Sequence, residues 1–235
     1  MNFIEKNVFV LTGAGISRES GIKTFRENDG LWDNYKIEDV CTVEAFLKNP
    51  NYVNKFYNER RKVLNDKNIR PNDGHKALAK IEKLCKEYLL VTQNIDDLHE
   101  KAGSNNILHM HGTLDRAFCM KCNYNFKLTS DISTSDICTN CKKQGGIRID
   151  VVWFGEQPKY LDKIYNFLKI TDYFISIGTS NNVYPAAGFI DYTKNFNQKA
   201  KFLEFNIEQT SKSQLFDKIF IGPASKTIPN FLKEI

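Results

Sequence analysis

The sequence predicts an α/β fold, with a mostly parallel, doubly wound sheet and a smaller part that is helical and carries a zinc ribbon. Short β-branched and aromatic runs alternate with segments of helical periodicity, which is typical of parallel strands joined by helices. Two cysteine pairs interrupt this alternation in a polar stretch, so a separate unit is expected there. With 235 residues and 41% hydrophobic residues, the chain is long enough to bury one large core.

The predicted strands are short apolar runs. The first, Val8 to Thr12, ends at Gly13, and Ser17 to Ser20 could cap a helix, so the chain opens as strand, tight loop and helix. Similar runs predict strands at Tyr88 to Thr92, Ile149 to Trp153, Tyr173 to Ile177 and Lys201 to Phe205. Helical periodicity separates them, as at His75 to Lys86 and Pro158 to Leu168.

Two stretches break the alternation and predict an inserted, smaller part. Residues 31–71 are mostly helical in pattern, and residues 116–147 hold the cysteine pairs. The larger part then comprises residues 1–30, 72–115 and 148–235, and the whole chain, 1–235, is expected to form a single domain. Because ligands of open parallel sheets lie beyond the carboxyl ends of the strands, we expect the site between the two parts.

The charge balance argues against a nucleic-acid-binding protein. The formal net charge is only +5, and the charged residues, 26% of the chain, are scattered along it. The apolar run from Val8 to Leu11 is too short for a signal peptide or a membrane span. We therefore expect a cytoplasmic protein without membrane association, whose six cysteines are reduced.

Four of these cysteines have the spacing of a zinc ribbon. Cys119 and Cys122 form one pair, and Cys138 and Cys141 form a second pair after fifteen intervening residues. Four thiolates close the tetrahedral shell to water, so we expect one structural Zn²⁺ ion rather than a catalytic one. Disulfides are the alternative, which a reducing compartment disfavours. The other two cysteines are expected to pack as small apolar residues.

Glycines and polar residues follow the first two predicted strands. Gly13-Ala14-Gly15-Ile16-Ser17 could let the backbone approach a pyrophosphate, although Arg18 stands where a dinucleotide fingerprint has its third glycine. A plain strand-to-helix turn is the alternative. Gln93-Asn94-Ile95-Asp96 follows the second strand, where its polar side chains either cap a helix or face a ligand.

Two further pairs of residues could carry chemistry. His109 and His111 share one face of an extended segment, and either could act as a base. Tyr57 and Arg60 lie on one face of a predicted helix, where together they could bind a carboxylate. Taken alone, this second pair is more simply interpreted as part of a solvated helix face.

In their order along the chain, these motifs resemble the sirtuin family. The matching segments are GAGISRESGIKTFR at 13–26, TQNIDDLH at 92–99, HMHG at 109–112, the two cysteine pairs, VVWFGE at 151–156 and GTS at 178–180. The resemblance runs from about Val8 to Pro229. It implies a Rossmann-like domain with a small zinc-bearing domain, and an NAD-dependent protein-lysine deacylase that yields nicotinamide, acyl-ADP-ribose and free lysine.

The resemblance also implies roles for individual residues. His111 would be the general base, and Asn94 and Asp96 would orient the ribose and nicotinamide. NAD, which is consumed, would contact Gly13, Ala14, Gly15, Ser17, Phe25, Arg26, Trp32, Gln93, Asn94, Ile95, Asp96, Gly178, Thr179, Ser180, Asn206 and Ala224. Acylated lysine residues of proteins are the implied partners, and their peptide would lie as an added strand along Val152, Trp153, Phe154, Gly155 and Glu156.

Tyr57 and Arg60 match the Tyr-x-x-Arg pair of the family branch, with bacterial members, that removes succinyl and malonyl groups. In an apolar acyl tunnel, a carboxylate needs a guanidinium and a phenol to offset the loss of its hydration. Cys41 is a departure, because that branch usually has alanine sixteen residues before the tyrosine. We expect acetyl, succinyl and malonyl groups to fit. The alternatives are protein mono-ADP-ribosylation in the same site, an NAD-dependent dehydrogenase, or a zinc module without enzymatic activity.

Overall fold

A computed structural model describes residues 3–23 and 35–234. Its strands are β1 (Asn7–Thr12), β2 (Glu87–Thr92), β3 (Ile107–His109), β4 (Gly112–Cys119), β5 (Asn125–Lys127), β6 (Ile147–Val151), β7 (Tyr173–Ile177), β8 (Lys201–Asn206) and β9 (Lys218–Ile221). Its α-helices are α1 (Ile37–Val40), α2 (Val43–Lys48), α3 (Pro50–Leu64), α4 (Asp73–Glu82), α5 (Leu98–Lys101), α6 (Leu161–Ile170), α7 (Phe189–Phe196) and α8 (Ala224–Leu232). Within these ranges, no helix has both the length and the apolar character needed to cross a membrane.

The larger sheet is parallel, with the strand order β3-β2-β1-β7-β8-β9. Successive residues of a strand point to opposite faces, so a sheet covered by helices on both sides has strands that are apolar throughout. In β1, Val8 and Val10 pack in the apolar cluster that includes residues of α4 and α8. Phe9 and Leu11 pack on the other face with residues of α6 and α7. The predicted doubly wound sheet is confirmed.

The strand order places a crevice at the centre of this sheet. From β1 the chain moves outward through β2 to β3, and it later returns to the other side of β1 through β7, β8 and β9. The connections after β1 and β7 therefore diverge at the carboxyl edge, which is where such sheets bind ligands.

The smaller sheet is antiparallel, with the order β5-β4-β6. Its apolar face packs with residues of α1, α2 and α3 and with the cysteine pairs in one cluster. The structure corrects the expectation that Ile149 to Trp153 is another strand of the alternating parallel set, because β6 belongs to this smaller sheet. An apolar run indicates a buried strand but does not identify its partner. The limits proposed for the two parts stay predictions.

The segment after β1 also differs from the prediction. Two short 3₁₀ helices, Ala14–Ile16 and Arg18–Ser20, follow the strand in place of an α-helix, and Gly21 ends the second with a φ of 90°. Ser17 does not cap a helix with its side chain. Its hydroxyl instead donates a hydrogen bond to Asp96, 79 positions away in the sequence, which makes it part of the site described next.

Candidate active site and metal centre

Two loops meet through glycines at the carboxyl ends of β1 and β7. The N–H of Gly15 donates to the carbonyl oxygen of Gly178 at 2.9 Å. A Cβ on Gly15 would lie 2.7 Å from the Cα of Gly178, and one on Gly178 would lie 2.6 Å from the nitrogen of Ile16. Gly178 also has a φ of +58°, which side chains disfavour. The loops therefore lie so close together that only glycine fits at both positions.

Polar side chains join the loop after β1 to the loop after β2. The Ser17 hydroxyl donates to Oδ2 of Asp96 at 2.9 Å, and the Asn94 amide donates to Oγ of Ser17 and to the carbonyl of Gly13, both at 3.1 Å. Asn94 and Asp96 are buried. Burial raises the pKa of the Asp96 carboxyl, and hydrogen bonds from Leu98 N–H and Ser17 oppose that shift.

Further predicted contacts converge from the ends of β2, β7 and β8. The Gln93 side chain donates to Oγ1 of Thr179 at 3.0 Å, and the Asn206 side chain donates to the Thr179 carbonyl at 2.9 Å. Ser180 follows Thr179, and Ala224 is the first residue of α8. Together with the contact between Gly15 and Gly178, these bonds bring the loops after β1, β2, β7 and β8 together at one edge of the sheet. Ile95 differs in that it packs against the apolar cluster of the smaller part.

The structure distinguishes between His109 and His111. Nδ1 of His111 lies 3.0 Å from the carbonyl oxygen of Gln93. A carbonyl oxygen only accepts, so the hydrogen belongs on Nδ1 and the lone pair on Nε2. Burial lowers the pKa of His111, and the hydrogen bond with Gln93 offsets this only in part, so the neutral form is favoured. This imidazole is suited to accept a proton.

His109 has acceptors at both ring nitrogens. Nδ1 lies 3.1 Å from the Asn94 carbonyl oxygen, and Nε2 lies 2.6 Å from Oε1 of Glu100. Burial lowers the pKa of His109, but the hydrogen bond and charge of Glu100 outweigh burial, and the net result is a raised pKa. Since both ring nitrogens already lie against acceptors of the protein, neither is directed at a substrate.

The segment that follows β6 is tied directly to His111. The N–H of Val152 donates to the carbonyl of His111 at 2.9 Å, and the N–H of Phe154 donates to the carbonyl of Cys41 at 2.9 Å. Trp153 is buried between them, whereas the Phe154 side chain is 61% exposed. The predicted peptide-binding segment therefore connects the histidine to the helical part of the molecule.

An ion pair that the sequence analysis missed fixes the same segment. Arg148, almost fully buried in β6, donates from both terminal nitrogens to the carboxylate of Glu156 at 2.9 Å, and its guanidinium lies 3.4 Å from the centre of the Trp153 ring. The carboxylate also accepts from Trp153 N–H. Burial raises the pKa of Glu156, but Arg148 outweighs it and the net pKa is lowered. Gly155, with a φ of +87°, therefore lies in a turn whose neighbours on either side are fixed, because Glu156 is bonded to both Arg148 and Trp153.

Tyr57 and Arg60 lie inside the molecule on α3, so their interpretation as a solvated face is wrong. Their exposed fractions are 1% and 6%. The Tyr57 hydroxyl accepts from Nε1 of Trp153 at 2.8 Å and lies 3.4 Å from Sγ of Cys41. Burial lowers the pKa of Arg60 to about 10, which still leaves the guanidinium protonated at neutral pH. Cys41 is buried as expected, but its thiol also contacts a polar group.

The two cysteine pairs come together as one cluster. All four sulfur atoms lie within 4.8 Å of one another, with 3.8 Å between Cys119 and Cys141 and 3.7 Å between Cys122 and Cys138. Sulfurs placed tetrahedrally at about 2.3 Å from an ion are about 3.8 Å apart, so the donor set could hold a metal ion. All six cysteines lie in the described ranges and are free, which excludes the disulfide alternative in this structure.

Three predicted NAD contacts, Phe25, Arg26 and Trp32, lie outside the described residues. Apart from Tyr57, Arg60, Ile95 and the cysteines, the predicted residues whose contacts are given above form two groups, one along the sheet crevice and one along Val152 to Glu156. His111 belongs to both groups, through its contacts with Gln93 and Val152.

Comparison with known proteins places this arrangement in a family. The Sir2 family model matches residues 13–185. A protein of Bdellovibrio bacteriovorus named NAD-dependent protein deacylase is 52% identical over 230 residues, covering 97% of this chain and 96% of its own. A protein of the same name from Salmonella typhimurium is 48% identical over 226 residues, covering 96% and 82%.

Solved structures show the same fold. A mutant Sir2 homologue in complex with ADP-ribose has a TM-score of 0.88 and 36% identity, covering 99% of this chain and 93% of that one. A Sir2 homologue in complex with NAD has a TM-score of 0.86 and 36% identity, covering 98% and 90%. Sequence motifs, fold and relatives agree, and the chain belongs to the Sir2 family, the sirtuins.

Proposed function

We propose that this protein is an NAD-dependent protein-lysine deacylase in which His111 is the general base. The observation that carries the proposal is the state and position of that imidazole. Its Nδ1 is held by Gln93 in the sheet crevice, its lone pair remains on Nε2, and its backbone is joined to Val152 on the peptide-binding segment. These contacts support a role for His111 at the point where we expect a dinucleotide and a peptide to meet.

The crevice residues fit a dinucleotide by the chemistry of their groups. They offer amides, hydroxyls and one buried carboxylate, which suit ribose hydroxyls and a carboxamide. We infer that Asn94 and Asp96 hold the nicotinamide end and that Thr179 and Asn206 hold the adenosine end. Related structures that hold NAD or ADP-ribose support a dinucleotide site in this fold.

In the proposed reaction, the acyl oxygen of the modified lysine would bond to the sugar carbon of NAD that carries nicotinamide, and the bond from that carbon to nicotinamide would break. His111 accepts a proton at Nε2 from a ribose hydroxyl, which allows that oxygen to attack the acyl carbon. Buried Asn94 and Asp96 orient the ribose while water is kept out. After the ribose oxygen has attacked, the lysine amine would leave the acyl carbon and one water molecule would add there, which gives nicotinamide, acyl-ADP-ribose and free lysine.

We propose that the acyl groups include succinyl and malonyl as well as acetyl. Arg60 is a buried, protonated guanidinium, and the phenol of Tyr57 lies one helical turn before it. A carboxylate entering this region would meet a charge and a hydroxyl that compensate its lost hydration. The thiol of Cys41 contacts the Tyr57 hydroxyl, and cysteine is only slightly larger than the alanine usual at this position, so we expect the longer acyl groups to be accepted.

We propose that the cysteine cluster holds one structural Zn²⁺ ion. The sulfur spacing described above fits a closed tetrahedral shell, which leaves no position for water. The ion would therefore hold the smaller part together and take no part in the reaction.

The test is incubation of the purified protein with NAD and matched acetyl-, malonyl- and succinyl-lysine peptides, followed by mass spectrometry. We expect free-lysine peptide and nicotinamide in equal amounts. Nicotinamide release with ADP-ribose attached to protein would instead indicate a transferase, and reduced nicotinamide would indicate a dehydrogenase. An intact nicotinamide–ribose bond with every peptide would overturn the proposal.

A further inference from the structure

Glu204 is a carboxylate in an unusual place. It lies in β8 between Leu203 and Phe205 and is only 1% exposed. A buried carboxylate is strongly disfavoured unless cations or hydrogen bonds stabilise its charge. Within residues 3–23 and 35–234, no lysine, arginine or histidine forms an ion pair with it. Its stabilisation comes from uncharged donors.

Those donors come from two different loops. From the loop after β7, Nδ2 of Asn181 donates to Oε1 of Glu204 at 2.9 Å. From the loop after β8, the Thr210 hydroxyl donates to the same oxygen at 2.9 Å, and the Ser213 hydroxyl donates to Oε2. One carboxylate therefore fastens both loops to the end of the strand, and hydrogen bonds to a charged acceptor are stronger than neutral ones.

The two loops are the ones that carry the adenosine side of the crevice. The Asn181 N–H donates to Oγ1 of Thr179 at 3.3 Å, and Asn181 is itself held in a left-handed conformation with a φ of 56°. The other loop begins at Asn206, whose side chain donates to the Thr179 carbonyl. Displacement of either loop from Glu204 would thus move Thr179 and Asn206.

We propose that Glu204 is a positioning residue for NAD, fixing the loops at 178–181 and 206–213 in the arrangement that the adenosine end requires. The inference rests on the proposed NAD-dependent function. Because Glu204 is only 1% exposed, we expect it to act through the two loops and not by contact with a substrate, and so to affect dinucleotide affinity. The acyl-peptide segment, Val152 to Glu156, is held separately by Arg148 and His111 and should be unaffected.

Calorimetric titration of ADP-ribose and NAD into the purified, zinc-loaded protein tests this inference. In Glu204→Leu both acceptors disappear, and the side-chain donors of Asn181, Thr210 and Ser213 keep only their longer contacts with one another, at 3.3 Å, so we expect about tenfold weaker binding. Glu204→Gln keeps the shape and one acceptor, and Thr210→Val removes one donor, so about threefold weaker binding is expected for each. Glu208→Gln, an exposed residue of the same loop, is the matched control and should bind as the wild type.

A second measurement separates positioning from general stability. The KM for NAD should rise with the dissociation constant in the Glu204 variants, while the KM for the acyl-peptide stays within about twofold of the wild type. A folded Glu204→Leu protein with wild-type affinity overturns the inference, even if its melting temperature has fallen. If that variant does not fold, unchanged affinity in both Glu204→Gln and Thr210→Val overturns it. If the wild type binds neither ligand, the proposed function itself fails first.

Discussion

The two sheets of the molecule are held together in different ways. Every residue of β1 from Val8 to Thr12 is buried, and apolar clusters with helices cover both faces of the larger sheet. Between β5 and β6, in contrast, most residues are exposed, with Ile132 and Cys138 among the few that are buried. Apolar packing thus extends over both faces of the larger sheet, whereas in the smaller part it covers the sheet and the helices but leaves the segment between β5 and β6 dependent on the four sulfurs. Metal dependence should therefore be local.

Removal of the metal is expected to have the largest effect. Structural zinc contributes roughly 10–16 kcal/mol of binding free energy in small zinc domains, so Cys138→Ser or a strong chelator should unfold the smaller sheet. Hydrogen exchange should accelerate in β4, β5 and β6 while β1 and β7 keep their protection, and deacylation should be lost. Cys85→Ser, a free cysteine outside the cluster, serves as the control. Equal loss of protection in both sheets would contradict the comparison.

Substitution of His111 should abolish most activity without affecting either sheet. His111→Ala is expected to lower turnover by roughly 10²- to 10⁴-fold, the usual contribution of one positioned base. In the wild type, kcat/KM should rise with pH through the lowered pKa of His111, because only the neutral form accepts a proton. His109→Ala, two positions away, should retain far more turnover. Near-normal lysine release by His111→Ala would contradict the assignment.

The stability of the larger part should depend on pH. His75 on α4 is fully buried, neither ring nitrogen has a hydrogen-bond partner among the described residues, and burial lowers its pKa to about 4. Since its unfolded value is higher, stability should fall as the pH decreases from about 6.5 towards 4, by roughly 3 kcal/mol in total. Denaturant unfolding of the wild type and of His75→Leu measures this, and the variant should show a shallower decline. If the free energy of unfolding declined equally steeply with decreasing pH in both proteins, His75 would not be the cause of the decline.

The smallest effect should appear in the smaller part, at Arg60. Arg60→Met keeps most of the side-chain volume but removes the charge, so we expect about a 10- to 100-fold loss of kcat/KM on succinyl-lysine peptide. Acetyl-lysine turnover should change by less than about threefold, because that acyl group has no carboxylate. The ratio of the two rates, measured by mass spectrometry, checks the prediction. Equal losses on both peptides would refute the acidic-acyl pocket.

Much of the fold followed from simple patterns. The runs at Val8 to Thr12 and Tyr173 to Ile177 became β1 and β7 within one residue, because buried parallel strands are apolar throughout. β3 and β9 have three and four residues and were too short to give a periodic signal. β6 was recognised as a strand, but its sheet was assigned wrongly, since pairing depends on contacts distant in sequence.

The charged residues inside strands were the least predictable part of the site. Arg148 and Glu204 are both nearly inaccessible, yet in the sequence each resembles the outward-facing residue of a half-exposed strand. Their partners, Glu156 for the first and Asn181, Thr210 and Ser213 for the second, are identifiable only once the loops are placed. The cysteine spacing, in contrast, predicted the sulfur cluster directly, because its ligands are local pairs.

The bare backbone at Gly15 and Gly178 has a consequence for redesign of the crevice. A methyl group at either position would clash with main-chain atoms of the facing loop, and the close packing leaves those atoms no room to move apart. Substitution of Gly15 or Gly178 is therefore not a way to change the shape of the crevice. We expect changes of the proposed NAD site to be tolerated better at positions such as Gln93 and Asn206, whose side chains bond to Thr179.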